Sequence, residues 1–300
     1  MPNTPRVPPV HDSSRPRTCT IPPLLPARGF ESSATLDLRP RFDDVAQDGR
    51  LQLVTLMQGL GAIWRAFGGS NRLDIFRAQG VLPMLRRLVF TGEPGPFSFH
   101  VPIHFSGTWR LARETNGERI FLDMWLDAFA PHGSTMDPHP PENAERVLVG
   151  RLYAEHVVTR PFAPPAERKV TRLDLPGIPP VPEDTHPCEE AEDLVAGCTL
   201  SPASEHVFGM MHTDPNRHVN SLVYQRFLEE AVVKRMTGAP TLLARATELR
   251  FRKPFFAGDR AVLAFAAEPL ADAQGVFARG TFVPSGAQAK PNCTIAMLLA

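Results

Sequence analysis

Asp214, Asn216 and His218 stand at alternate positions in the run His212-Thr213-Asp214-Pro215-Asn216-Arg217-His218-Val219-Asn220-Ser221, and a helix-like stretch from Leu222 to Met236 follows at once. A carboxylate, a carboxamide and an imidazole held together can take a proton, hold a carbonyl or a water, and pass the proton on. A helix N-terminus adds unpaired N–H groups and a partial positive charge, which suit an oxygen that turns negative during a reaction. The backbone amides near Val219 and Asn220 are the expected oxyanion donors and substrate contacts. The plainer reading is structural. Asp and Asn ahead of a helix are capping residues, Asp-Pro-Asn is ordinary turn chemistry, and single histidines are more often structural than catalytic. The complete string, closed by Tyr224, favours a functional site, with the Asn220 side chain as a cap and Tyr224 as a core phenol.

These residues need a scaffold, and the chain reads as two blocks with the same order of elements. Residues 1–31 form a proline-rich leader, expected to be flexible. A first block spans 32–160 and a linker spans 161–196, with prolines at 161, 164, 165, 176, 179, 180, 182 and 187. A second block spans 197–300. In the first, Leu53, Leu56, Leu60, Trp64 and Phe67 recur at helical spacing. Phe97 to Phe105 alternates strictly, as do Ile120, Leu122, Met124 and Leu126, and Arg146 to Val158 is strand-like. In the second, Val223, Phe227 and Ala231 line a helical face with Tyr224 and Leu228, and Gly238 and Pro240 supply the stop. Strands are expected over Glu248 to Leu263 with its continuation, Val276 to Val283, and Cys293 to Leu299. A shift of 170 positions lays Asp44 on Asp214, and the first loop then offers Asp44, Asp48 and Arg50. No catalysis is expected there.

Composition excludes several classes. With 32 basic and 32 acidic residues no global field marks a nucleic-acid or membrane-surface partner. The four cysteines are scattered, so neither a disulfide framework nor a metal site is expected, and a reducing compartment fits. His100 and His104 share a strand face but lack a third ligand. No apolar run approaches the ~18 residues of a membrane helix. The expectation is a soluble cytoplasmic protein, monomer or homodimer, without cofactor or metal.

The run 214–224 resembles the Asp-x-Asn-x-His-Val-Asn signature of hotdog-fold acyl thioesterases, most closely that of the acyl-ACP thioesterases. Leu51 to Trp64 resembles the helix opening their first domain, the basic segment after Arg160 their interdomain linker, and Glu248 to Asp259 a strand-turn-strand of thioesterases of the 4-hydroxybenzoyl-CoA type. The resemblance implies an α+β double hotdog: two antiparallel sheets, each wrapped around a central long helix, able to join edge to edge. It implies hydrolysis of a fatty or polyketide-like acyl thioester of ACP or CoA. Asp214 would be general base or nucleophile, His218 proton carrier or water-orienting group, and Asn216 the holder of a carbonyl oxygen or water. The first-block helix, through Leu56, Leu60 and Trp64 with Leu53 and Met57, would wall the acyl pocket, although such a stripe is equally a plain core. One departure stands out. Where the plant enzymes carry Arg-Arg-Glu-Cys, this chain has Arg252-Lys253-Pro254-Phe255, so a second carboxylate is missing. The second Asn of their Asn-Asn pair is Ser221.

Two other classes compete. A hotdog dehydratase or hydratase places His five residues after Asp, with proline following Asn; here the interval is four and proline precedes Asn216. A non-hydrolytic protein that binds, transfers or cyclises an acyl chain would account for the missing carboxylate.

Overall fold

The computed structural model describes residues 32–300, apart from 70, 99, 134–144, 183–184, 187–189, 237–240, 271–274 and 287–289. The expected leader and the Gly238/Pro240 stop lie outside the described residues. The first half contains β1 (Ser32–Leu38), α1 (Met57–Gly68), α2 (Arg72–Ala78), β2 (Leu82–Gly92), β3 (Ile103–Glu114), β4 (Ile120–Pro131) and β5 (Arg146–Thr159). Then come the short β6 (Thr185–His186), β7 (Ser201–Val207), α3 (Ser221–Arg235), β8 (Ala244–Phe251), β9 (Arg260–Pro269), β10 (Val276–Pro284) and β11 (Cys293–Leu299). The two half-sheets join edge to edge into one sheet, in the order β1-β3-β4-β5-β2-β8-β11-β10-β9-β7, with β6 pairing β3. Each half has its strands in the same relative order, first-third-fourth-fifth-second, and the two second strands, β2 and β8, pair antiparallel from Arg87↔Arg250 to Thr91↔Ala246.

One face of each half-sheet packs on a helix. Along β3, burial alternates from Ile103 onward because successive side chains point to opposite faces. A 3-10 turn over Leu53–Leu56 leads into α1, whose Leu60, Ile63 and Phe67 face the sheet. α1 lies close: a Cβ on Gly59 would come within 2.5 Å of Phe105 Cδ1 and 2.7 Å of Leu126 Cδ2. Glycine in mid-helix costs intrinsic helicity, and the close approach it permits offsets that cost. α3 lies across β8 to β11. Its core stripe is Tyr224, Leu228 and Val232: of the expected face Tyr224 and Leu228 are central, while Val223, Phe227 and Ala231 flank them half-buried.

The opposite face of the junction is polar. Glu248 is fully buried there, with Arg87 Nε at 2.8 Å from across the junction and Arg250 Nε at 2.7 Å. Arg86 reaches Glu155 at 2.9 Å, and the Tyr153 hydroxyl donates to Asp123. Buried carboxylates are tolerated only when paired in this way. The segment 161–196 runs over the fold: Val170 is buried in the core, and the 3-10 turn Ala191–Val195 packs on β11, where Arg250 donates to the Glu190 carbonyl. No helix among the described residues is long and apolar enough to cross a membrane.

Two readings of the sequence need correction. The alternating run 97–105 is strand only from Ile103, with Phe97 making an isolated bridge to His132, and His100 lies in the turn before β3, so it does not share a strand face with His104. The internal repeat has a different register. The bridge Val45↔Leu51 corresponds to Thr213↔Val219, an interval of 168. The same interval carries Ala46 N→Arg50 O onto Asp214 N→His218 O, and Gln52 N→Asp44 O onto Asn220 N→His212 O. It also carries the positive φ of Gly49 (82°) onto that of Arg217 (66°). Asp44 therefore matches His212; Asp214 matches Ala46.

Candidate active site

The segment from Thr213 to Val219 is a tight hairpin. Asp214 N donates to the His218 carbonyl at 2.9 Å, and Arg217 N donates to the Asp214 carbonyl at 2.8 Å. Pro215 fits the second position of the turn, and Arg217 adopts the left-handed backbone needed to return the strand. Asp214 and His218 face each other directly across this pair, which puts their side chains on one face. Asn216 sits at the tip and is exposed, whereas Asp214 and His218 are half-buried. Asp214 Oδ1 accepts the Asn216 amide at 2.8 Å. The His218 ring stands edge-on to Phe256, 5.3 Å between centroids.

The hairpin delivers the chain into α3. Asn220 is the N-cap: its Oδ1 accepts from Leu222 N at 2.9 Å, and its carbonyl accepts from Val223 N at 3.0 Å. The expected oxyanion donors are spoken for. Val219 N donates to the Phe255 carbonyl and Asn220 N to the His212 carbonyl, each at 2.8 Å. In this arrangement neither amide is open to a substrate oxygen, because the hairpin has to be pinned to the β8–β9 turn and to its own stem.

That turn explains the sequence departure. Phe255 is buried and supplies the carbonyl that holds Val219; Pro254 O accepts from Asn292 Nδ2. Arg252 donates to the carbonyls of Lys290 and Pro291. Asp259, the next carboxylate, closes the turn by accepting from Phe256 N at 2.8 Å. The segment 252–255 thus contributes backbone acceptors and packing, and no carboxylate.

The matching loop of the first half is closed by charge. Arg50 Nε meets Asp48 Oδ2 at 2.6 Å and also donates to the Ala300 carbonyl. Asp44 is buried and accepts from Arg41, Thr55 and Gln58. Burial alone would push its carboxyl up, but these hydrogen bonds outweigh it and hold the group below the ordinary carboxylate value.

Leu56 and Leu60 are sealed in the first-half core, with Leu56 against Gly150; Trp64 is half-buried, its ring 4.9 Å from that of His156. A cavity of about 320 Å³ opens elsewhere, between β7, β9 and the second half of α3, and is lined by Ser204, His206, Phe227, Glu230, Lys234 and Phe265 among others. Sequence reading missed it because β7 itself was not recognised. Serine and histidine at i and i+2 of a strand were the available signal.

No family model matches the chain, and no curated relative does. Solved structures do. A provisionally assigned oleoyl thioesterase from Lactobacillus plantarum is 12% identical, with a TM-score of 0.62 over 91% of this chain and 97% of its own. An acyl-ACP thioesterase from Bacteroides thetaiotaomicron is 14% identical, with a TM-score of 0.57 over 89% and 98%. The 12:0-ACP thioesterase from Umbellularia californica is 10% identical, with a TM-score of 0.54 over 89% and 94%. At these identities the likeness is one of fold. The chain has the hotdog fold of these acyl thioesterases over about nine-tenths of its length.

Proposed function

We propose that this protein is an acyl thioesterase, hydrolysing a fatty or polyketide-like thioester of ACP or CoA in the cytoplasm. The observation that carries the reading is the cross-strand pair Asp214/His218, held by a hairpin at the cap of α3 in a chain with a thioesterase fold. No cation among the described residues pairs with Asp214 in a salt bridge, so its second oxygen can take a proton from water. The water oxygen attacks the thioester carbonyl, the proton goes to Asp214, the C–S bond breaks, and His218 carries that proton from Asp214 to the departing thiolate. A thiolate leaves readily, so one carboxylate suffices without a strong second acid. With the Val219 and Asn220 amides engaged, the carbonyl oxygen is assigned to the exposed Asn216 side-chain amide and the positive end of α3.

The proposed division of labour follows the repeat. Residues 197–300 carry the chemistry, 32–160 supply the partner half-sheet, with the half-buried Trp64 rather than the sealed Leu56 and Leu60 available to an acyl group, and 161–196 connect them. Because β2 and β8 already pair the two halves, a monomer is self-sufficient. The test is release of free thiol from a panel of acyl-CoA and acyl-ACP substrates, with products identified by mass. The reading requires turnover that Asp214→Ala and His218→Ala abolish in folded protein. Turnover no better than that of Asp214→Ala across the panel would sink it.

A further inference from the structure

The cavity beside β7 has a composition that the hairpin does not explain. Ser204 Oγ lies 2.7 Å from His206 Nε2. The His206 ring is stacked on Phe227, 4.0 Å between centroids and 13° between planes, which fixes the imidazole against α3. A bulge lies between Pro202 and Ser204, taking Ala203 out of the ladder with β9 next to the hydroxyl. The α3 side contributes Glu230 and Lys234, 3.5 Å apart, and the floor is Phe227, Ala231 and Phe265. A volume of about 320 Å³ is at the small end of ligand sites.

We propose that this cavity is a second, esterolytic site, with Ser204 as nucleophile and His206 as its base, acting on esters of short apolar acyl groups. A hydroxyl bonded to a neutral imidazole is the minimal activated nucleophile. Ser204 Oγ attacks the ester carbonyl carbon as its proton passes to His206 Nε2. The C–O bond then breaks and His206 returns the proton to the departing alcohol. Water attacks the acyl-serine, giving up a proton through His206, and the carboxylic acid leaves with Ser204 restored. Lys234 supplies positive charge for the tetrahedral oxyanion, and the Glu230 carboxylate favours the imidazolium that forms. Burial holds the imidazole below its ordinary value, Glu230 acting against this and Lys234 and His212 with it, so the ring is unprotonated and able to accept at neutral pH. The rings of Phe227 and Phe265 suit a short acyl chain, which would lie beside Arg235, whose guanidinium stands 3.7 Å from the Phe265 ring centroid.

The test uses the full chain and a fluorophosphonate carrying a short alkyl group. Serine attacks phosphorus, fluoride leaves, the hydroxyl proton goes to His206, and a stable adduct remains. The expected result is one adduct on the peptide containing Ser204, absent in Ser204→Ala and formed about 100-fold more slowly in His206→Gln. In the wild-type protein the labelling rate should fall as the solution is taken from about pH 8 to about pH 5 and the imidazole protonates. An unmodified Ser204 peptide, equal rates in wild type and His206→Gln, or a flat pH profile would each overturn the proposal. The readout is the mass of one peptide, so it is independent of whether Asp214 cleaves thioesters.

Discussion

Replacing Asp214 by Asn and by Ala separates its two roles, because the structure gives it a bond that Asn keeps and Ala loses. Asp214 Oδ1 accepts the Asn216 amide at 2.8 Å, and a carboxamide oxygen can occupy the same position. Asp214→Asn should therefore leave stability within about 0.5 kcal/mol of wild type. Asp214→Ala forfeits the bond; the residue is half-buried, so a cost toward the lower part of ~0.5–1.5 kcal/mol is expected. For catalysis the order changes. Both variants lack a proton acceptor, and loss of a general base slows the reaction by roughly 10²–10⁴-fold, or about 3–5 kcal/mol of barrier. A purely structural Asp214 predicts something else: full activity in Asn, and in Ala a loss no greater than the ~5-fold that 1 kcal/mol of turn stability can produce. The assay is thiol release under conditions where all three proteins are folded, paired with urea denaturation. Activity of Asp214→Asn within about threefold of wild type would refute the catalytic assignment whatever the fold resembles.

Three further outcomes test the architecture. Gly59→Ala should destabilise by about 1–3 kcal/mol in urea, since its Cβ would collide with Phe105 and Leu126; an unchanged midpoint would mean that α1 stands off the sheet. Burial pushes the Glu229 carboxyl up to about 7, against hydrogen bonds from Gln225 and the Ala244 amide. The folded state then binds more protons than the unfolded one between the ordinary glutamate value and about 7, so wild-type stability falls as pH rises through that window. Glu229→Gln should gain on wild type near pH 8 and match it near pH 4, and an equal difference at both would remove the burial argument. Arg217→Gly should stabilise by about 0.5–1 kcal/mol, because relief at φ 66° exceeds the added freedom of the unfolded chain; a loss would show that the arginine side chain does something the hairpin needs.

What could be read from the sequence depended on whether one face of an element is buried. β4, β5, β10 and β11 alternate or run apolar because they are interior strands, and α1 betrays itself by the stripe from Leu53 to Phe67. β1 and β7 are edge strands: β1 alternates, with Ala34, Leu36 and Leu38 on its half-buried face, but it is short and follows the proline-rich leader, whereas β7 is polar or small at nearly every position. β2 was hidden differently: Arg86 and Arg87 interrupt its apolar run, and only the structure reveals that Glu155 and Glu248 receive them. The repeat was visible as an order of elements but misregistered by two residues. Alignment on the carboxylates Asp44 and Asp214 followed chemistry, whereas the property the halves share is backbone bonding. Asp44 Oδ2 and His212 Nδ1 each accept the amide three residues earlier, so different side chains fill one structural role.

That shared backbone also bears on the choice between a turn residue and a catalyst. In the first half the hairpin closes with the same two bonds, Ala46 N→Arg50 O at 2.8 Å and Gly49 N→Ala46 O at 2.9 Å, although the position of Asp214 is occupied by alanine. A carboxylate there is not required for the turn to form. The positions of Asn216 and His218 are filled by Asp48 and Arg50, which pair with each other, and Asp48 takes its own turn bond from the Arg50 amide. One copy of the loop has thus spent its polar side chains on closing itself, and the left-handed position carries the glycine that relaxes it. The other copy keeps a non-glycine residue in that strained conformation and places a carboxylate with no salt-bridge partner among the described residues opposite an imidazole. Stability alone gives no reason for the second choice, since the first copy meets every backbone requirement more cheaply. The divergence between two loops of identical geometry is the argument for chemistry at Asp214, and it stands on this chain's own residues.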